Sequence, residues 1–325
     1  MKSLIECVPN FSEGRDAAKL DAIAAAMSAV PEVWLLDRNS DADHNRSVMT
    51  LAGRPQAVAE AALRGVGEAA RLLDLTQHSG VHPRLGATDV VPFVPMEGAT
   101  MAECVEIAHS VGREIWRRYR IPVYFYEAAA LRPERGHLEN VRRGQFEELS
   151  GAELELDAAR APDAGEAKLH ATAGAVAVGA RKFLIAFNIN LDTPEASIAR
   201  EIASAVRASN GGLPCVKAMG VALASRGLAQ VSMNLTDFEQ TPLDQVFRAV
   251  EREAERHGCR IAGSEIVGLV PRRAMEMIGG FDLRLENFGG AQILENRLAE
   301  AMGRAPTTAE SKAGGAALAE GGLRG

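Results

Sequence analysis

The chain has 325 residues, 47% of them apolar and 24% charged, and carries a formal net charge of −7. This is the make-up of an ordinary globular protein, and the length calls for two compact units rather than one. The acidic balance excludes a general nucleic-acid binder, which needs a basic face, and no apolar, charge-free stretch reaches the about 18–20 residues of a membrane span.

In the first half, Leu4–Val8 reads as a strand and Asp16–Val30 as a helix. Trp34–Asp37 and Ser47–Ala52 read as strands, and Pro55–Leu73 as a helix with proline at its first position. Val90–Val94 is a further strand. Thr100 and Glu103 form a capping box for a helix to about Tyr119, and Val123–Tyr126 is an added strand. Residues 128–178 are rich in Ala, Arg and Glu with scattered glycines, and are expected to be a helix plus a long loop.

The second half is more regular. Phe183–Leu191 is a strand, and Thr193-Pro194 caps a helix to about Ala208. Cys215–Ser225 and Leu228–Thr236 form a hairpin about Arg226-Gly227. Thr241-Pro242, with Asp244 at the capping-box position, opens a helix that stops near His257-Gly258, and Arg260–Val270 is the last strand. A helix over Ala291–Met302 precedes a tail, 304–325, whose composition predicts disorder. Each half has the order β-α-β-β-α-β, so the fold class is α+β, with two tandem ferredoxin-like subdomains at 1–178 and 179–303. Cys7, Cys104, Cys215 and Cys259 are far apart with no CxxC pair, and are expected as buried free thiols. An acid and a proline come too early for the N-terminus to be a signal peptide, so the cytoplasm is the expected compartment.

The segment His78-Ser79-Gly80-Val81-His82-Pro83-Arg84-Leu85-Gly86-Ala87-Thr88-Asp89 lies between a helix and a strand, where loops reach ligands. Pro83 restricts His82, whose imidazole can take and return a proton near neutrality. A histidine satisfying a buried turn fits the residues as well. Gly80 and Pro83 argue against a helical His78/His82 metal pair. Asp37–Arg46 packs Asp41, Asp43, His44 and Asn45 between two strands, as a polar site or a solvated turn. Val8–Gly14, with Asn10, ends the first strand, as a ligand-facing loop or a helix cap. In Gly165–Ala175, Gly165 and Gly174 could admit a flat ligand while Lys168 and His170 meet anions; a linker is the alternative. Asn188 and Asn190 share one face of their strand, as a cleft wall or a wet sheet face.

Taken together, Glu6-Cys7-Val8-Pro9-Asn10-Phe11-Ser12-Glu13-Gly14, Asp43-His44-Asn45-Arg46, Val81-His82-Pro83-Arg84-Leu85-Gly86-Ala87, Gly179-Ala180-Arg181-Lys182-Phe183, Phe187–Leu191, Gln230–Leu235 and Gly268–Pro271 resemble the glutamate formimidoyltransferase family. That family includes the N-terminal half of formimidoyltransferase-cyclodeaminase. The resemblance covers about residues 3–275, and no cyclodeaminase half follows. It implies two subdomains with a folate-binding cleft between them and a catalytic histidine at His82. It also implies tetrahydrofolate as the one-carbon carrier, glutamate or formimidoylglutamate as partner substrate, no metal, and a homodimer. Gly165–Gly174 matches the family's folate-contacting stretch, with Glu166 and Ala171 where prolines are common. Asn39 stands where some members carry an acid, and Asp37 or Asp41 could substitute. Arg46, Arg84, Arg181, Lys182 and Lys217 are candidate partners for substrate carboxylates. Competing readings are a 5-formyltetrahydrofolate–glutamate formyltransferase, a non-catalytic folate-binding protein, and a metal hydrolase using His44, His78 and His82.

Overall fold

The computed structural model describes residues 3–42, 44–80, 83–150 and 160–304. The chain divides into two compact units between Phe183 and Leu184.

The first unit opens with two short strands, β1 (Ile5–Cys7) and β2 (Asn10–Phe11), interrupted at Val8-Pro9. Helix α1 (Ala17–Ser28) is capped by Asp16, whose carboxylate accepts from the amides of Ala18 and Lys19. Strands β3 (Val33–Asp41) and β4 (Arg46–Gly53) follow, then α2 (Pro55–Leu72), which starts on proline as expected. Strand β5 (Thr88–Pro95) leads to α3 (Met101–Tyr119), where the Thr100–Glu103 capping box is formed in both directions. Strand β6 (Val123–Glu127) is the added strand.

The stretch 128–178 departs from expectation. It contains two short helices, α4 (Leu138–Val141) and α5 (Gln145–Leu149), and ends in strand β7 (Val176–Ala180). β7 runs parallel between β5 and β6. Its five residues are all buried, so it shows a continuous apolar run instead of the alternation that marks a one-faced strand. In the sheet, β1 and β2 both pair with β4 and with β5, and β3 lies outside β4. The core beneath α1–α3 is built from residues such as Ile5, Phe11, Met27, Leu51, Val66, Phe93 and Ile115. A second cluster, with Tyr124, Tyr126, Phe146 and Leu149, lies under α4 and α5.

The second unit runs β8 (Ile185–Leu191), α6 (Ala196–Val206), β9 (Val216–Leu223), β10 (Leu228–Leu235), α7 (Leu243–Arg256) and β11 (Ile261–Val267). Its sheet is antiparallel in the order β11-β8-β10-β9. Phe187, Ile189, Val231 and Met233 form its buried face. α6 crosses β9 so closely at Gly220 that a Cβ there would stand 2.1 Å from the Arg200 amide nitrogen. Helices α8 (Arg272–Met277) and α9 (Leu294–Ala301) complete it.

Several caps differ from expectation. Thr241 does not cap α7: its hydroxyl is buried and donates to the Pro214 carbonyl at 2.6 Å. Pro242 takes the cap position without a side-chain bond, and Asp244 faces Arg248 instead. Thr193 accepts from the Glu195 amide one turn before α6, so the helix starts later than expected. The β9–β10 connection is a full turn, Ala224–Arg226, closed by Gly227 at φ +66°. Cys7, Cys104 and Cys259 are buried, whereas Cys215 is only partly so, with its thiol 3.1 Å from Gln240 Oε1.

Candidate active site

The segment after the expected catalytic histidine is held by three parts of the first unit. Ser12, beyond the end of β2, donates from its hydroxyl to the Gly86 carbonyl at 2.8 Å, and its amide donates to Ala87. On the other side, the Ala87 amide donates to Ala173 and the Ala175 amide to Leu85. Gly86 is so enclosed that a Cβ would stand 1.9 Å from the Ala175 carbonyl oxygen. The fold therefore brings the Asn10–Gly14, Arg84–Asp89 and His170–Ala175 segments together, although they are remote in sequence.

Asp89, at the start of β5, anchors this frame from inside. Its side chain is fully buried, and Oδ1 accepts from the Leu85 amide at 2.8 Å. Oδ2 accepts from Arg46 Nη1 at 2.7 Å and from Arg142 Nη2. Burial alone raises a carboxyl's pKa, but the Arg142 and Arg46 guanidiniums outweigh it and hold Asp89 at about 2. Burial pulls Arg46 below its ordinary value, with Asp89 opposing. Arg46 also donates to Asn10 Oδ1 through Nε and Nη2, and the Asn10 amide donates to Val8. Asn10 and Arg46 are thus locked to each other.

Arg84 is buried, donates to the His78 carbonyl at 3.1 Å and pairs with Glu147 at 2.5 Å. Its Nε has no hydrogen-bond partner among the described residues. Asn45 sits in the β3–β4 turn at φ +50° and is buried. Its Oδ1 accepts from the Gly14 amide at 2.9 Å and its Nδ2 donates to the Ser79 carbonyl at 2.9 Å. The Asn45 carbonyl accepts from His78 Nε2 at 3.1 Å, and His78 Nδ1 is buried without a partner among the described residues. Burial, helped by Arg84, pushes His78 below its ordinary pKa, against that hydrogen bond. Asp41 and His44 are exposed and bonded to each other, Nδ1 to Oδ2, at 2.9 Å.

His82 itself, with Val81 and Asp43, lies outside the described residues. His170 and Gly174 close a tight loop through mutual backbone bonds, and His170 Nδ1 accepts from the Thr172 and Ala173 amides. With Nδ1 accepting, the His170 ring proton sits on Nε2. Gly165 packs instead against Trp116 and Pro122, and Lys168 is exposed. Arg181 follows β7 and donates to the Lys182 carbonyl, while Lys182 is exposed. Asn188 and Asn190 belong to the second unit and are both buried. Of the residues around the frame, sequence reasoning missed Ser12 and Arg142. Arg142 carried no signal, because its surroundings read as a helix and a long loop with no motif.

Residues 4–181 match the formiminotransferase domain, N-terminal subdomain, and residues 186–297 match the formiminotransferase domain. The chain belongs to the formiminotransferase family. It is 48% identical to the glutamate formimidoyltransferase of Streptococcus pyogenes serotype M1, over 92% of this chain and 99% of that protein. With the glutamate formimidoyltransferase of Thermoplasma acidophilum it shares 41% identity, over 92% of this chain and 98% of that protein. With the formimidoyltransferase-cyclodeaminase of Mus musculus it shares 42%, over 85% of this chain and 51% of the longer protein. Two of the segments that carry the resemblance, Glu6–Gly14 and the Arg84–Ala87 part of another, meet around Gly86 and Asp89.

Proposed function

We propose that the chain moves a formimidoyl group between 5-formimidoyltetrahydrofolate and L-glutamate, with tetrahydrofolate and N-formimidoyl-L-glutamate as the other pair. It is an enzyme that transfers a formimidoyl group, and the near-full-length similarity to glutamate formimidoyltransferases carries this reading. Such a reaction serves histidine degradation and one-carbon metabolism. Tetrahydrofolate enters as a carrier that is itself a substrate.

In this reading His82 is the acid–base residue. The glutamate amine must be neutral to attack the imine-like carbon on N5, and His82 takes its proton as the new C–N bond forms. The tetrahedral adduct collapses when His82 returns a proton to N5, which breaks the old C–N bond and frees tetrahydrofolate. One positioned acid–base group contributes roughly 10²–10⁴ in rate, or about 3–5 kcal/mol of barrier. Binding both substrates side by side supplies a comparable share. Arg84 and Arg46 support the loop that carries His82. Their guanidiniums bond to Glu147 and His78, and to Asp89 and Asn10. The His170 Nε2 donor and the Arg181-Lys182 pair are the proposed partners of substrate oxygens.

We read the second unit, and the β5–β1/β2–β4–β3 part of the first sheet, as ferredoxin-like plaits, and the protein as a cytoplasmic homodimer. Light scattering tests the dimer. The activity test is incubation of the purified chain with formimidoylglutamate and tetrahydrofolate, following the folate product spectroscopically. Absence of product removes the proposal. Faster transfer from 5-formyltetrahydrofolate to glutamate replaces it with the formyl reaction.

A further inference from the structure

One side chain of the first unit bridges the chain on either side of His82. Arg84 donates from Nη2 to the His78 carbonyl at 3.1 Å, which ties position 84 back to position 78. The near end of this loop has a second tie, from Asn45 Nδ2 to the Ser79 carbonyl at 2.9 Å. The far end is tied by the short helix α5. Phe146 donates from its amide to the Arg84 carbonyl at 2.9 Å, and the next residue, Glu147, meets Arg84 Nη2 through Oε1 at 2.5 Å. Arg142, three residues before α5, pairs with Asp89, whose other oxygen holds the Leu85 amide at 2.8 Å.

These contacts differ in what they decide. The Phe146 amide holds the Arg84 backbone whatever side chains surround it. The Arg84 side chain is only 8% exposed, and a buried guanidinium needs a counter-charge. Among the described residues Glu147 is the one carboxylate within ion-pair distance of it. Without Glu147, Arg84 is left with a neutral carbonyl, and its Nε has no partner among the described residues to begin with. A side chain of that length relieves its charge by turning towards water. Doing so breaks its bond to His78 and opens the base of the loop.

Glu147 itself is 55% exposed, so changing it empties no space in the core. An exposed acid adds little to global stability through one ion pair. Its effect is local and falls on the orientation of Arg84. Stability and loop geometry are therefore separable at this position, as they are not at the enclosed Asp89.

We infer that Glu147 is a positioning residue for the transfer reaction: it holds Arg84 on the His78 carbonyl and so fixes the base of the loop that carries His82. This goes beyond the proposed function and rests on it for the role of His82. Glu147 acts through Arg84 and exchanges no proton with a substrate. The 138–149 stretch, which reads in the sequence as a connection, is in this assignment the outer jaw of a clamp on the catalytic loop.

The test compares Glu147→Gln, His82→Ala and the double variant, each in the full chain, in transfer from formimidoylglutamate to tetrahydrofolate. Glu147→Gln should lower kcat about 10- to 100-fold, the scale on which a displacement of about 1 Å acts. Its tetrahydrofolate Kd and its thermal midpoint should stay at the wild-type values. Glu147→Asp keeps the charge and should recover part of the rate. In the His82→Ala background Glu147→Gln should have no further effect, because residues that act as a unit are not additive. A wild-type kcat in Glu147→Gln overturns the inference. So do losses that multiply in the double variant, a loss confined to the KM of formimidoylglutamate, or a fall in kcat that only tracks a lowered midpoint. A large loss in His82→Ala beside an unchanged Glu147→Gln sinks this inference alone; a His82→Ala variant with the wild-type rate sinks the acid–base reading and this inference with it.

Discussion

Asp89 and Arg142 are 53 positions apart in the chain and meet as an ion pair whose acid is completely enclosed. The pair ties the segment carrying α4 and α5 to the start of β5, and Arg46 joins it from β4. Asp89→Asn keeps an acceptor for the Leu85 amide but leaves two guanidiniums without their counter-charge. Removing one partner of a buried pair costs about 3–5 kcal/mol, so urea denaturation should show a loss of that order. A loss close to zero would mean that the apolar contacts of Phe146 and Leu149 hold the segment unaided.

The same carboxylate sets a pH dependence. Its folded value is about 2 against an ordinary 3.8, so the folded state favours the ionised form. A depressed folded pKa contributes stability that is complete above about pH 4 and is lost as the pH falls through about 2. The shift corresponds to about 2–3 kcal/mol. The stability gap between wild type and Asp89→Asn should therefore narrow on acidification across that window. A gap that stays constant from neutral pH downwards would show that the carboxylate is not the group being titrated.

Much of this arrangement was legible in the sequence, and the rest was hidden for definable reasons. The caps Asp16 and Thr100–Glu103, the proline start at Pro55 and the hairpin near Gly227 are local chemistry, and local chemistry is written in adjacent residues. Strand β7 was missed because a strand buried on both faces does not alternate. Thr241 was misread because its hydroxyl meets Pro214, 27 positions away, in place of its own helix. The motif segments were visible singly, but their meeting around Gly86 depends on β-pairing between distant stretches.

Asn45 was expected to touch substrate, but its amide is spent inside the protein. It joins the Gly14 amide to the Ser79 carbonyl and adopts φ +50°, a conformation that Asn tolerates better than Ala. Asn45→Ala should cost about 1–3 kcal/mol for the groups left unpaired, with backbone strain in addition. Asn45→Gly removes the same bonds without the strain and should be less damaging in thermal unfolding. If the two variants unfold at the same temperature, the strain contribution is absent.

Gly86 tests whether the loop must approach the His170–Ala175 segment this closely. A methyl group there would overlap the Ala175 carbonyl, so Gly86→Ala must push the two segments apart. Overpacking of this kind costs about 1–3 kcal/mol. Because the displaced loop follows His82, kcat should fall more than thermal stability predicts. Unchanged kcat together with lowered stability would make Gly86 a packing residue only.

His82→Ala separates chemistry from binding. The acid–base reading predicts a fall in kcat of roughly 10²–10⁴. Tetrahydrofolate affinity, measured by fluorescence titration, should hold, because Ser12, Arg84, Asp89 and the 173–175 stretch are bonded to one another in the frame. The pH profile adds an independent check. If the imidazole must be neutral to accept the amine proton, wild-type kcat/KM falls below about pH 6.5, the ordinary range of an imidazole, and the variant's residual rate lacks that limb. His78 lies four residues earlier in the chain, its Nδ1 has no partner among the described residues, and it is the rival base. A His82→Ala variant that keeps both its rate and its acid limb, while His78→Ala loses them, would move the proton transfer to His78.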